Sequence, residues 1–178
     1  MKNSLLLLLF FSSSLIFSQT PQQGKVIPEY GKTFHIESPG FKTDTSSTLK
    51  VVFDVDRSFD EAEPNKLIET AARYLNMHEN AGVDPGNMNI ALVLHGKAVQ
   101  DALKDEYYTE RFPDVLKNPN LPLIEALVEE GVDVIICGQS ATYYKVNRDN
   151  TNENSKFALS AMTALVQLQN DNYRLIKF

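Results

Sequence analysis

The sequence predicts a three-layer α/β/α domain built around a mainly parallel β-sheet. Short apolar runs alternate with longer segments of helical periodicity, which is typical of βα units. The runs are almost continuously apolar, as expected for strands that are covered on both faces. The composition, with 43% hydrophobic and 22% charged residues, is that of an ordinary globular chain.

Four strands are predicted from the apolar runs. Residues 49–55 form the first strand, residues 89–94 the second, residues 132–137 the third and residues 173–178 the last. Because crossovers between parallel strands are right-handed, helices cover the sheet faces and the carboxyl ends of the strands meet at one edge. Ligands bind at that edge in open parallel sheets.

At least three helices are predicted between these strands. Residues 64–80 carry an apolar stripe at helical spacing, and residues 97–112 form a less regular helical stretch. Residues 121–130 form a further helix that leads directly into the third strand. The last predicted helix covers residues 155–170.

The N-terminal segment has the pattern of a signal peptide. Lys2 supplies a positive charge, and the apolar residues 5–11 and 15–17 follow it. The apolar segment is interrupted by serines and is shorter than the ~20 residues of a bilayer-spanning helix. We therefore expect cleavage after Ser18 and an exported protein, periplasmic or secreted, with no membrane attachment after cleavage. An uncleaved N-terminal anchor is the alternative.

Residues 19–47 separate the predicted signal peptide at residues 1–18 from the predicted α/β domain at residues 48–178. They are rich in proline, glutamine, glycine, serine and threonine, so we expect an extended or mobile arm. Its large apolar residues can pack on the domain or on a neighbouring subunit. Removal of the signal peptide leaves 178 − 18 = 160 residues, a length that suits one domain.

Charge and motif content argue against several classes of ligand. The formal charge of −6 lacks the basic excess that nucleic acid or an anionic membrane surface requires. No glycine-rich phosphate loop follows a predicted strand, so no nucleotide cofactor is expected. His35, His78 and His95 lack the spacing of metal ligands, so no metal is expected either.

Cys137 ends the third predicted strand and is the only cysteine, so it cannot form an internal disulfide. It is a buried inert thiol, an intermolecular partner or a reactive group. Gly138 follows it, and residues 139–144 can form a helical turn whose N–H groups and dipole favour a thiolate. We expect Cys137 to be solvent-accessible, with a pKa below the ~8.5 of a free thiol.

His95 and Gly96 follow the second predicted strand. A neighbouring imidazole can stabilise the Cys137 thiolate or take up its proton, because histidine titrates near neutrality. A solvated or capped histidine is the alternative. The sequence does not set the distance between the two side chains.

Asp54 and Asp56 lie at the end of the first predicted strand. Residues 51–56 look like the first motif of haloacid-dehalogenase-type phosphatases, where one aspartate attacks phosphorus and the next acts as acid or base beside Mg²⁺. Arg57 and Ser58 depart from that motif, and no later strand ends in an acidic doublet. We interpret both carboxylates as solvated loop groups, with a Mg-dependent phosphohydrolase as the alternative.

Several segments of the chain resemble the DsrE/DsrF-like family, and the likeness extends over residues 49–178. The third predicted strand ends in Cys-Gly-Gln-Ser, and the last helix is followed by a closing strand as in that family. The segments that carry the resemblance are residues 94–99, 132–140, 158–165 and 173–178. The resemblance implies the same α/β fold.

In sulfur-relay members of this family, a cysteine after the matching strand carries persulfide sulfur between partner proteins. The resemblance implies this role for Cys137, with a second protein as sulfur donor or acceptor. His95, at the end of the neighbouring predicted strand, is the second candidate catalytic residue. It also implies a homo-oligomer, trimeric or hexameric. The candidate binding residues around the thiol are Asp54, Gly96, Gly138, Gln139 and Ser140.

The predicted export signal and the arm depart from the relay members, which work in the cytoplasm, so their partners do not carry over. Two alternatives stay open on the same fold. One is a non-catalytic, oligomeric ligand-binding module, and the other is the phosphohydrolase that would use Asp54 and Asp56. Exposure of Cys137 distinguishes a sulfur carrier from the binding module.

Overall fold

The computed structural model describes residues 20–178, so the predicted signal peptide lies outside the described residues. Five parallel strands form one sheet in the order β4-β3-β2-β1-β5, which confirms the predicted fold class and adds one strand to the four expected. The strands are β1 Leu49–Val55, β2 Met88–Leu94, β3 Asp133–Cys137, β4 Lys156–Ala158 and β5 Arg174–Ile176.

Five α-helices occur in residues 20–178, with short 3-10 helices at Pro85–Asn87 and Gly96–Ala102. The α-helices are α1 Lys66–Asn80, α2 Asp105–Arg111, α3 Leu121–Glu129, α4 Gly138–Tyr143 and α5 Ala161–Asn170. Helices α1 and α3 pack on one face of the sheet and α5 on the other, which gives the three layers. Across this part of the chain, every helix is too short or too polar to cross a membrane.

The strong elements form for simple reasons of sequence. Helix α1 begins after Asn65, whose side-chain oxygen accepts a hydrogen bond from the Leu67 N–H at 2.9 Å and so caps the first turn. Its apolar stripe is buried against the sheet. The stripe consists of Ile68, Ala71, Ala72 and Leu75.

The register of the sheet brings the strand ends together. Strands β1 and β2 pair over their full length, from Leu49 opposite Met88 to Val55 opposite Leu94. Strand β5 pairs with β1, and β3 pairs with β2. Because all these strands are parallel, their carboxyl ends lie along one side of the sheet, which we call the strand-end edge.

Side chains alternate between two apolar layers of unequal size. Val51, Phe53 and Val55 of β1 face the larger layer under α1 and α3, whereas Val52 faces α5. The α5 layer is built mainly from small residues. Its buried members are Val52, Ala91, Val93, Cys137, Ala161 and Ala164.

The predicted helix at residues 155–170 is wrong in its first part. Lys156–Ala158 form β4, which pairs with β3 at the edge of the sheet, and α5 begins only at Ala161. The Ser160 side chain caps α5 by accepting a hydrogen bond from the Thr163 N–H at 3.1 Å. A strand of three residues has too little alternation to show in a sequence, so its apolar residues merged into the helical pattern.

The arm, residues 20–47, lies against α1. Ile27 is 2% exposed, and its N–H donates a hydrogen bond to Oδ1 of the fully buried Asn76 at 2.9 Å. The Asn76 amide in turn donates to the carbonyl oxygens of Ile27 and Tyr30, both at 2.9 Å. The Gly31 N–H donates to Glu69 at 3.0 Å. The arm has no helix, and α1 supplies partners for these backbone groups.

Candidate functional site

Four neighbouring strands each bring one polar side chain to the α5 side of the strand-end edge. We call these residues the strand-end row: Lys177, Asp54, His95 and Cys137. Phe53 pairs with Ile176, so the next residues, Asp54 and Lys177, lie side by side. Leu94 pairs with Ile136, so His95 and Cys137 are neighbours in the same way. The sheet therefore assembles a cation, a carboxylate, an imidazole and a thiol in that order.

Asp54 is the centre of a polar cluster rather than a solvated loop group, so that interpretation is wrong. It is the sixth residue of β1, and its side chain is only 6% exposed. One carboxylate oxygen lies 2.6 Å from His95 Nε2, and the other accepts a hydrogen bond from Lys177 Nζ. Burial of a carboxylate is tolerated here because both of its oxygens have a partner.

Asp56, two residues further on, is more exposed than Asp54, with 28% of its side chain accessible. Its carboxylate accepts a hydrogen bond from Arg57 Nε at 2.7 Å, and Lys177 Nζ lies 3.6 Å away. The hydrogen bond from Arg57 holds the pKa of Asp56 below its usual value. Asp56 therefore stays ionised as the outer partner of Lys177.

The contact with Asp54 fixes the imidazole of His95. A carboxylate only accepts hydrogen bonds, so Nε2 of His95 carries the hydrogen in this pair. In the neutral ring the lone pair then lies on Nδ1. The hydrogen bonds within residues 20–178 include none between His95 and Cys137, so the two residues are neighbours in register without a direct hydrogen bond.

Cys137 is the last residue of β3 and directly precedes α4. The prediction that it is solvent-accessible is wrong, because Cys137 is only 4% exposed in the isolated chain. Its side chain points into the thin layer under α5, where it packs with Val93 and Ala161. The first turn of α5, which sequence analysis placed earlier in the chain, covers the thiol.

The environment of the sulfur favours the thiolate in spite of this burial. Burial by itself raises the pKa of Cys137, but hydrogen-bond donors near the sulfur lower it by more. The donors are the Ser140 hydroxyl and the backbone N–H groups of Ser140, Ala161 and Gln139. The pKa of Cys137 is therefore lower than that of an ordinary thiol, in the predicted direction.

Ser140 links Cys137 to the end of β2. The Gly96 N–H donates a hydrogen bond to Ser140 Oγ at 3.0 Å. Gly96 has φ +54°, and a Cβ atom built there would lie 2.4 Å from the carbonyl oxygen of Asp56. A side chain at this position would displace the donor that holds Ser140.

Gly138 and Gln139 contact the connection between β4 and α5. A Cβ atom on Gly138 would lie 2.7 Å from the Ala158 carbonyl oxygen, so glycine allows close approach of the two backbones. The Gln139 side chain donates to the Leu159 carbonyl oxygen at 3.3 Å. These two residues hold the cover over Cys137 in place, and Ser140 is the candidate binding residue whose hydroxyl lowers the pKa of the thiol.

Two residues of the site were missed by sequence analysis. Lys177 had a signal, because a charged residue near the end of a predicted strand belongs to the strand-end edge just as Asp54 does. Ala161 had none. Its role comes from its backbone N–H, and the beginning of α5 was predicted too early in the chain.

The residues described in the structure contain no group of three or more His, Cys, Asp or Glu side chains that could hold a metal ion. Both oxygens of Asp54 are already engaged by His95 and Lys177. A magnesium site here would have to displace these partners, so the contacts do not favour the phosphohydrolase alternative.

The fold and the site define an all-parallel α/β protein with a single thiol at the carboxyl end of an inner strand. Comparison with known families makes the assignment specific. The chain belongs to the DsrE/DsrF-like family, whose sequence pattern matches residues 50–178. The family assignment supports a fold that is related to sulfur relay.

Two solved structures share the fold. One is the protein of unknown function MTH1491 from Methanobacterium thermoautotrophicum, with 17% identity and a TM-score of 0.53. The other is the ychN protein from E. coli, with 16% identity and a TM-score of 0.54. Each comparison covers 73% of this chain and 99% of the other chain. No curated protein matches the sequence.

Proposed function

We propose that this protein accepts sulfane sulfur on Cys137 and passes it to an acceptor. The observation that carries the proposal is the position of Cys137 at the carboxyl end of β3, directly before α4, beside four polar groups that lower the pKa of its thiol. Three of them are backbone N–H groups at the beginnings of α4 and α5, and the fourth is the Ser140 hydroxyl. Such donors stabilise a thiolate, and they can equally stabilise the terminal anion of a persulfide.

The transfer step needs no external oxidant. The Cys137 thiolate attacks the outer sulfur of a donor persulfide, R–S–SH, and forms a new S–S bond. The S–S bond of the donor breaks, its electron pair stays on R–S⁻, and the proton of the donor S–H group moves to that sulfur. The products are the Cys137 persulfide anion and R–SH. An acceptor thiolate then attacks the outer sulfur of the Cys137 persulfide, takes that sulfur and releases Cys137 as a thiolate.

Burial of Cys137 requires a local opening before this exchange. Because the connection between β4 and α5 packs on Gly138 and Gln139, movement of residues 159–160 is the shortest route to the sulfur. Leu159 is already 73% exposed, so its displacement exposes little additional apolar surface to water.

A homo-oligomer, trimeric or hexameric, is the second part of the proposal. The connection before α5, the outer surface of α5 and the strand β5 expose large apolar side chains. Exposed apolar surface is typical of subunit interfaces. The residues are Leu159, Met162, Val166 and Leu175, which are 73%, 76%, 56% and 42% exposed. The same surface also fits the alternative of a non-catalytic oligomeric binding module.

Export remains part of the proposed function, with the signal at residues 1–18 as its basis. Outside the cytoplasm a free thiol is exposed to oxidants. Burial at 4% exposure protects Cys137 until the site opens. The donor in that compartment would be a small persulfide or a persulfide-bearing protein that is itself exported.

The intact mass of the protein after incubation with a persulfide donor tests the proposal. We expect a gain of one sulfur atom that a thiol acceptor removes, and no gain in Cys137→Ser. A protein that gains no sulfur under native conditions, although its thiol reacts after unfolding, would support the binding module instead.

A further inference from the structure

Lys177 of the strand-end row contacts Asp54, and this contact affects the proposed chemistry of Cys137. Lys177 follows β5 and lies on the same side of the sheet as Asp54, because Leu175 pairs with Val52 of the α5 layer. Its Nζ donates to one oxygen of Asp54, and the other oxygen of Asp54 contacts His95 Nε2. Asp54 thus stands between a cation and an imidazole.

From this geometry we infer that Lys177 is a positioning residue of the Cys137 site, which acts by holding Asp54 so that Asp54 fixes the ring of His95. The inference rests on the proposed function for its purpose, but the contacts that carry it do not involve sulfur. Lys177 acts through Asp54 and does not itself contact the thiol.

The contacts of Lys177 make this role specific. The hydrogen bond with Asp54 raises the pKa of Lys177 above its usual value, so its ammonium stays charged. Without Lys177, one oxygen of a buried carboxylate would lose its partner, and Asp54 would be free to rotate. The negative charge of Asp54 would then be balanced only by the imidazole.

Loss of Lys177 also affects the thiol electrostatically, through the negative charge of Asp54. Asp54 and Cys137 lie on β1 and β3, which are two strand spacings or about 10 Å apart across β2. A carboxylate that has lost its lysine partner at that distance disfavours the thiolate, and we expect it to slow alkylation at neutral pH about fivefold. The positive charge of Lys177 therefore contributes to the reactivity of Cys137.

The test compares Lys177→Met with Lys177→Arg, which keeps the charge. Lys50→Met is the matched control. Lys50 lies on the same face of β1 as Asp54 but at the other end of the strand, and its Nζ pairs with Asp171 at 2.8 Å. Lys177→Gln is measured as well, so that a folding defect of one uncharged variant does not decide the result. The first readout is the ¹⁵N NMR signature of the His95 ring, assigned with His95→Gln, and the second is the alkylation rate of Cys137 by iodoacetamide.

We expect both uncharged variants to shift the His95 ring signals and to slow alkylation about fivefold, with Lys177→Arg near wild type and Lys50→Met without effect. Unchanged His95 signals in folded Lys177→Met and Lys177→Gln would overturn the inference. Equal effects in Lys50→Met would also overturn it, because they would indicate a general effect of charge. Failure of sulfur uptake in wild type would reject the proposed function and leave these ring signals as the measure of the positioning role.

Discussion

The backbone N–H of Gly96 donates a hydrogen bond to Oγ of Ser140 at 3.0 Å and so connects the ends of β2 and β3. The Ser140 hydroxyl also lowers the pKa of Cys137. Two strand ends therefore meet beside a single thiol. We expect the reactivity of Cys137 to depend on residues that do not touch substrate.

Replacement of Ser140 tests the effect of its hydroxyl on the thiol. In Ser140→Ala the thiol loses a polar group that lowers its pKa, so we expect the pKa of Cys137 to rise. The measurement is the pH dependence of alkylation by iodoacetamide in the native protein. Thr142→Ala is the matched control, because the Thr142 hydroxyl on the same helix donates to the Gly138 carbonyl oxygen instead. An unchanged pH profile in Ser140→Ala would remove Ser140 from the site.

Asp101 provides a prediction about pH and stability. It is 2% exposed, with hydrogen bonds from Ser58 and Asn65, and burial raises its pKa to about 6. Between about pH 4 and pH 6 the folded state therefore binds more protons than the unfolded state. The contribution of Asp101 to the free energy of unfolding falls by about 3 kcal/mol as pH rises through this range, and is constant above it.

The difference in unfolding free energy between wild type and Asp101→Asn isolates this contribution. We expect the difference to fall with rising pH from about 4 to about 6, as measured by urea unfolding at several pH values. Asp114→Asn, at an exposed position, is the control and should show no such trend. A difference that rises with pH would show that Asp101 is stabilised as a carboxylate.

Asn76 tests whether the arm contributes to the stability of the domain. In Asn76→Ala the buried N–H of Ile27 and three arm carbonyl groups lose their partner, so we expect a loss of about 2–3 kcal/mol in urea unfolding. Asn80→Ala, at the exposed end of α1, is the control. Because the predicted domain at residues 48–178 holds all five strands, unfolding should stay cooperative. Loss of cooperativity would show that the arm completes the core.

The apolar surface of α5 tests the proposed oligomer. Met162→Asp places a charge at the centre of that surface, so we expect the molar mass measured by light scattering to fall to that of a monomer. Met77→Asp, on the exposed side of α1, is the matched control and should leave the mass unchanged. A wild-type protein that is already monomeric at high concentration would contradict this part of the proposal.

The strand-end edge could be predicted from the sequence, but the contacts between its side chains could not. The position of Cys137 at the end of a strand followed from an apolar run that ends in glycine, which is a local pattern. The partners of Asp54 could not be predicted, because His95 and Lys177 lie 41 and 123 positions away in the chain. Only the register of three strands shows that Asp54 is buried between them.

The burial of Cys137 was missed for a related reason. The thiol is covered by Ala161, a small residue with no chemical signal, at the beginning of a helix that follows the unpredicted strand β4. The predicted helix at residues 155–170 included β4, so the predicted fold lacked the connection that covers the thiol. Short edge strands carry little sequence periodicity, so this part of the site depends on the tertiary structure.

The state of Cys137 after exposure of the native protein to a persulfide donor tests the central claim most directly. The treated protein is alkylated and digested, and the mass of the Cys137 peptide is determined. We predict that most of this peptide carries one additional sulfur between Cys137 and the alkyl group, and that a thiol acceptor removes it. A Cys137 peptide without additional sulfur, from a protein whose thiol reacts only after unfolding, would contradict the account.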